Sequence, residues 1–250
     1  MEPKISIINL HKALKDKKIL EGVTLNVNEG EILCIIGKSG SGKSVLIKHL
    51  IGIFTPDEGD IFIGGQKYTG SGEKTRIAME SKIGILFQGA ALFDSMNIYE
   101  NIAFGLRRKG EDEGEIKKII PEMLRQVGLK DVEERMPGEL SGGMQKRAGL
   151  ARSIALRPEI MLYDEPTTGV DPITGGAVDR LIVKMRDTFG ITSLVVTHDI
   201  NSAYRIADRI AMLFDGKIIF HGTPDEIKTS DNPYIKQLIE GKAHGPIGIS

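Results

Sequence analysis

The sequence predicts an α/β fold in which a parallel-sheet core with an antiparallel β portion is interrupted by an inserted helical block. Three observations predict it. A glycine-rich loop, Gly37 to Ser44, stands between an unbroken apolar run and an apolar helical pattern. After residue 159 strand and helix patterns alternate again, as successive parallel strands require. Between these stretches, residues 89–158 change to helical periodicity.

The elements follow in order. Ile5 to Leu10 and Val23 to Val27 alternate like half-buried strands, and Asn28-Glu29-Gly30 supplies a turn. The run Ile32-Leu33-Cys34-Ile35-Ile36 is continuously apolar, as a strand buried on both faces is. Past Lys43, residues Val45, Leu46, Leu50 and Ile51 fall at helical spacing, with Gly52 as the C-terminal stop. Residues 59–65 read as a short strand, 66–76 as a polar loop, and Ile83 to Phe87 as a strand ending at Gln88. Asn97 and Glu100 fit a capping box. Ile116, Ile119, Ile120, Met123, Leu124 and Val127 trace one helical stripe in which Pro121 marks a kink or a restart, and Gly128 ends it. Ser141 caps a helix that runs to Arg157, with Pro158 as its stop. Ile160 to Tyr163 and Thr192 to Thr197 are strands separated by a helix over roughly 175–186. Asp215-Gly216 then turns a hairpin within 212–220. The sequence shows no internal repeat and no low-complexity tract.

Composition narrows the function. A chain of 250 residues buries a large core in one or two domains. A net charge of −1 gives no electrostatic case for nucleic acid, which is excluded as the expected partner. Cys34, the single cysteine, lies in the apolar strand, reads as a small core side chain and rules out an internal disulfide. No run approaches the ~20 apolar residues of a membrane span, so a soluble cytoplasmic chain is expected.

The spacing Gly37, four residues, then Gly42-Lys43-Ser44 fits a phosphate-binding loop, whose backbone N–H groups wrap phosphates at a helix N-terminus. A flexible Gly/Ser turn is the competing reading, and the strand before and helix after the loop weigh against it. Asp164-Glu165 ends an apolar strand, where α/β sheets place ligands. Two adjacent acids there can divide the work, Asp164 holding Mg²⁺ together with the Ser44 hydroxyl and Glu165 pointing at a water that attacks the γ-phosphate; a solvated strand end followed by a Pro turn is the competing reading. His198 follows a strand, as structural histidines often do. Gln88 ends another strand, where an amide reaches a metal-bound water or senses nucleotide.

Together these residues carry a resemblance. The loop Gly37-Lys38-Ser39-Gly40-Ser41-Gly42-Lys43-Ser44 with Val45, Gln88, the stretch LSGGM at 140–144, the Asp164-Glu165 pair, Asp171 in TTGVDP and His198 occur in the order and approximate spacing of an ABC transporter ATPase subunit. The resemblance spans roughly residues 4–225. It implies a P-loop NTPase (RecA-like) core from 1–88 and 159–225, a helical subdomain at 89–158 and a C-terminal extension at 226–250, all in one ABC ATPase domain. It further implies ATP and Mg²⁺ as ligands and a head-to-tail homodimer, in which ATP lies between the phosphate loop of one subunit and Ser141, Gly142 and Gly143 of the other. By the same resemblance Glu165 is the general base, His198 contacts the γ-phosphate, Gln88 joins the catalytic and metal site, and Asp171 orders the dimer interface. One position departs: where the family stacks an aromatic ring on adenine, an ungapped reading gives Leu14.

Longer stretches, QGAALFDSMNIYENIAFGLR and the run from MPGELSGGM through DPITGG, resemble the ATPase of Mla/Mce-type lipid transporters. That resemblance implies phospholipid or other lipid as cargo, a membrane permease and an Mce-domain protein as partners, and attachment to the cytoplasmic face of the inner membrane. Ala90-Ala91-Leu92-Phe93 and Met96 read either as core packing or as a groove for a permease helix. Lys146, Arg147 and Arg152 read as a solvated helix face rather than a lipid-headgroup site. The rivals are an ABC importer of another solute and a non-transport ABC ATPase. The lack of a basic surplus counts against the second.

Overall fold

The computed structural model describes residues 3–242 and 244–248. In chain order its elements begin with β1 (Ile5–Leu14), β2 (Lys17–Val27), β3 (Ile32–Ile36), α1 (Lys43–Leu50), β4 (Glu58–Ile63), β5 (Gln66–Lys67), α2 (Glu73–Glu80) and β6 (Ile83–Leu86). They continue with α3 (Ile98–Arg108), α4 (Glu113–Gln126), a short 3-10 turn (Pro137–Glu139), α5 (Gly142–Ala155), β7 (Ile160–Asp164), α6 (Pro172–Phe189) and β8 (Thr192–Thr197). Last come α7 (Ile200–Ile206), β9 (Arg209–Phe214), β10 (Lys217–Gly222), α8 (Pro224–Lys228) and α9 (Pro233–Glu240). The chain divides into two compact units, one of residues 1–80 with 192–250 and one of residues 81–191.

The first unit contains two sheets. In one, β1 pairs antiparallel with β2 on one side and β4 on the other, giving the order β2-β1-β4-β5. Alternation buries Ile5, Ile7 and Leu10, but the register shifts between Ile7 and Leu10, Asn9 takes φ +48°, and Ile8 is left exposed. In the other sheet β3 lies between its parallel neighbours β8 and β9, and β10 closes the edge antiparallel to β9. All five residues of β3 are fully buried, Cys34 among them, as its unbroken apolar run requires. The hairpin turn puts Asp215 at φ +44° and Gly216 at φ +72°, the pair of left-handed positions a tight primed turn needs.

Residues 66–76 are not simply a loop. They hold β5 and the start of α2, which the Gly/Ser-rich sequence hides because α2 buries only Met79. A tertiary hydrogen bond from the Tyr68 hydroxyl to Glu80, 2.8 Å, ties that helix back to the chain entering it.

In the second unit β6 and β7 pair parallel, with α3, α4, α5 and α6 as its helices. Asn97 caps α3 by accepting from the Glu100 amide, but the Glu100 carboxylate turns to Arg107, so only one arm of the predicted capping box forms. The fully buried Asn101 orders the loop before α3: its amide donates to the Met96 carbonyl at 2.9 Å and accepts from the Phe93 N–H at 2.7 Å. α4 continues through Pro121 without a restart. Pro121 sits on its exposed side, where water can satisfy the carbonyl that loses an N–H partner. α6 is longer than predicted because Pro172 fits its first turn and Gly190, at φ +66°, ends it. No helix among the described residues is long and apolar enough to cross a membrane.

Candidate functional site

The loop is set up by the strand before it. Ile36 is the register partner of Thr197, so the chain leaves β3 into Gly37 and leaves β8 into His198 at the same sheet edge. A Cβ at position 37 would lie 2.3 Å from the Leu213 carbonyl oxygen, so only glycine permits this approach. Gly42, at φ +104°, is the N-cap of α1, whose first-turn N–H groups have no helical acceptors and face the loop side. The Lys43 ammonium, on a residue only 5% exposed, donates to the carbonyls of Gly37 at 2.8 Å and Lys38 at 3.1 Å. Ser41 presents a buried hydroxyl with no hydrogen-bond partner among the described residues. Ser39 and Gly40 are exposed, and Ser44 and Val45 are half-buried in the first turn of α1. His198 is exposed, and Asp199 after it caps α7 by accepting from Ser202 N–H. Lys38 extends over the ring of Phe214, 5.8 Å from its centroid, and that ring packs 4.8 Å from Tyr234 of α9. Leu14 is half-buried at the end of β1, opposite Lys17.

The second unit repeats the strand-edge logic. Leu86 pairs with Tyr163, so Gln88 and the Asp164-Glu165 pair leave β6 and β7 at one edge. Glu165 takes φ +52°, a left-handed conformation that costs a non-glycine residue about 1–2 kcal/mol. Thr168 supports it, donating from its hydroxyl to the Glu165 carboxylate at 3.1 Å and from its N–H to the Glu165 carbonyl at 3.2 Å. Ser141 caps α5 by accepting from Met144 N–H, leaving Ser141 and Gly142 exposed. A Cβ on Gly143 would lie 2.3 Å from Thr174 Cγ2, so the glycine lets the starts of α5 and α6 meet. Asp171 caps α6: its carboxylate accepts from the N–H groups of Ile173 and Thr174, both at 3.0 Å, and from the Thr174 hydroxyl. Those bonds, the hydroxyl of Thr174 first, hold the Asp171 carboxyl below the usual carboxylate range. A cavity of about 470 Å³ opens among Gln88, Ala90, Gly142, Gln145, Lys146 and Thr168.

The basic residues of α5 correct the sequence reading. Lys146 is 5% exposed and donates to the Pro166 carbonyl at 2.8 Å. Arg152 donates to the Ala91 carbonyl at 2.7 Å and lies 5.7 Å from the centroid of the Phe93 ring. Arg147 reaches the Gly128 carbonyl at 3.1 Å. Burial pulls the Lys146 and Arg152 cations below their usual pKa ranges, with Glu165 opposing the shift at Lys146. Lys146 and Arg152 point inward because turns far away in sequence offer carbonyl acceptors, which periodicity cannot reveal, whereas Arg147 stays half-buried with its hydrogen bond at the surface. The only sequence signal was the run of small and apolar residues around Lys146. The apolar patch divides between the two readings: Ala90 is buried, whereas Phe93 and Phe104 are 43% and 44% exposed and meet edge-on at 5.3 Å.

The structure thus brings His198 to the phosphate loop within the first unit. Within the second it gathers Gln88, Asp164 and Glu165 at one strand edge and sets Ser141 to Gly143 beside Asp171. A glycine cradle, a helix N-terminus and a buried ammonium are chemically suited to a polyphosphate. Within the second unit Gln88 and Asp164 offer hard oxygen donors of the kind that suit Mg²⁺, and within the first the Ser44 hydroxyl is another.

Comparison with known proteins agrees. The ABC transporter family model matches residues 20–168. The probable ribonucleotide transport ATP-binding protein mkl of Mycobacterium tuberculosis is 42% identical over 98% of this chain and 69% of its own length. The intermembrane phospholipid transport system ATP-binding protein MlaF of Haemophilus influenzae is 36% identical over 97% of this chain and 92% of its own. The dimeric structure of the ATP-binding cassette MJ0796, bound to ADP and phosphate in a post-hydrolysis state, superposes with a TM-score of 0.80 at 32% identity. It covers 88% of this chain and 98% of that one. A phosphate loop in its strand-to-helix setting, the strand-end carboxylates and these matches lead to one conclusion: the chain belongs to the ABC transporter family, as an ATP-binding subunit that hydrolyses ATP.

Proposed function

We propose that this ATPase drives phospholipid movement across a cell envelope, working as a head-to-tail homodimer beneath a membrane permease. The observation that carries the cargo reading is the likeness to MlaF, which runs along nearly the whole of both chains. The match to mkl, a probable ribonucleotide transport ATP-binding protein, leaves almost a third of that protein uncovered. An Mce-domain protein is the expected further partner, and the cytoplasmic face of the inner membrane the expected location. Within this reading residues 89–158 form the helical subdomain and 226–250 the C-terminal extension.

The residue roles follow from the chemistry. Gly37 to Val45 bind the triphosphate through backbone N–H groups and the Lys43 ammonium, which exchanges its loop carbonyls for phosphate oxygens. Asp164, Gln88 and Ser44 are the residues that would hold Mg²⁺, which when bound would neutralise charge on the phosphates. Glu165 accepts a proton from the attacking water, and His198 donates a hydrogen bond to the γ-phosphate. Ser141, Gly142 and Gly143 present a hydroxyl and a helix N-terminus to the nucleotide of the partner subunit. Asp171 holds the start of α6 rigid beside them. The exposed ring pair Phe93 and Phe104 supports the groove reading for a permease helix.

Affinity purification of the full chain from native membranes tests this directly. Permease and Mce-domain subunits should copurify with phospholipid, and phospholipid should stimulate ATP turnover. A complex that carries no lipid and is stimulated by a nucleotide or another small solute overturns the cargo reading.

A further inference from the structure

Lys146 is a lysine with an unusual setting. It sits on α5 with 5% exposure, out of reach of bulk water. Its ammonium instead donates to two consecutive carbonyls, those of Pro166 at 2.8 Å and Glu165 at 3.5 Å. Burying an ammonium is costly unless its donors are satisfied, so these carbonyls must be held where they are. The backbone they belong to is the strained one, because Glu165 stands at φ +52°. A non-glycine residue persists in that region only when its surroundings over-determine it. Thr168 fastens the turn from its own chain, by the bonds to the Glu165 carbonyl and carboxylate. Lys146 fastens it from another helix, α5, whose N-cap is Ser141.

We propose that Lys146 is a positioning residue for hydrolysis: it pins the Glu165-Pro166 main chain in the left-handed turn and so fixes the direction of the Glu165 carboxylate. The inference rests on Glu165 being the general base. Lys146 itself does not touch the reacting atoms. Because Lys146 lies one and a half turns into α5 from Ser141, any displacement of that helix is transmitted to the Glu165 turn through a hydrogen bond to a main-chain carbonyl rather than through packing alone.

The test uses the full chain and the variants Lys146→Met, Lys146→Arg and Glu165→Gln, with ATP turnover, KM and hydrogen exchange of a peptide spanning 165–169 as readouts. Lys146→Met should lower kcat on the order of 10–100-fold with KM for ATP within about twofold, since a small misplacement of a reacting group has that effect. Exchange at the Thr168 amide should accelerate as its bond to the Glu165 carbonyl loosens. Lys146→Arg keeps donors at that depth and should recover most of the rate. In a Glu165→Gln background, Lys146→Met should change turnover less than twofold. Native kcat and unchanged exchange in Lys146→Met, or full additivity with Glu165→Gln, overturns the proposal. If Lys146→Met does not fold, Lys146→Gln is judged by the same readouts. Should Glu165→Gln alone hydrolyse ATP at the native rate, the general-base reading fails, while the exchange measurement still decides whether Lys146 holds the turn.

Discussion

Ile36 and Thr197 are partners in adjacent parallel strands, and each hands its chain to a different functional element at the same edge. The nucleotide loop and His198 therefore share one foundation but not one task. Lys43→Ala should weaken ATP binding tenfold or more, because it removes both the charge for the phosphates and the two bonds that close the loop entry. His198→Ala should leave affinity within a few-fold and lower turnover on the order of 100-fold, the usual cost of one oriented donor. Titration calorimetry beside steady-state kinetics separates the two, and equal affinity losses would contradict the division.

Gly143 meets Thr174 where α5 and α6 begin. Gly143→Ala should lower stability by roughly 1–3 kcal/mol, the range for overpacking a tight contact. Thr174→Ser deletes the offending methyl while keeping the hydroxyl on Asp171. Thermal unfolding should therefore show the double variant recovering most of the loss, and an additive double variant would refute the contact.

Asp171 gives the stability a pH dependence of known sign. Its folded pKa lies below the ordinary aspartate value, so its contribution is complete above that value and disappears as pH falls through the folded one. The melting-temperature gap between the native chain and Asp171→Ala should be widest near neutrality and narrow once the pH falls below the ordinary aspartate range. A gap that widens on acidification has the wrong sign.

Phe93 and Phe104 are nearly half exposed, so replacing both with serine should cost the isolated chain little stability. ATP binding should persist, whereas copurification with the permease should fail. An unfolded double variant would return these rings to the core, and an intact complex would move the docking site elsewhere.

The fold was legible where local chemistry is strong. The five-residue apolar run of β3, the loop after it and the Asp215-Gly216 turn each carry their own signal, and all three stand in the structure. α2 was hidden because one buried methionine makes no stripe, and its anchor, Tyr68 on Glu80, is a tertiary bond. Lys146 and Arg152 were misread for a related reason: charge predicts solvent unless an acceptor waits, and their acceptors are main-chain carbonyls 20 and 61 residues away. The left-handed turn at Glu165 was invisible too, since its support comes from Thr168 and α5 rather than from the type of residue that adopts it.

Phe214 stands between Lys38 and Tyr234, and the chain contains no tryptophan. A single Tyr234→Trp change would therefore install the only indole of the protein one ring away from the phosphate loop, in a half-buried place that tolerates an aromatic. If the phosphates of an arriving nucleotide draw the Lys38 cation off the Phe214 face, the emission of that one fluorophore would follow it in real time. The packing of α9 thus makes the C-terminal helix an optical port onto ATP binding.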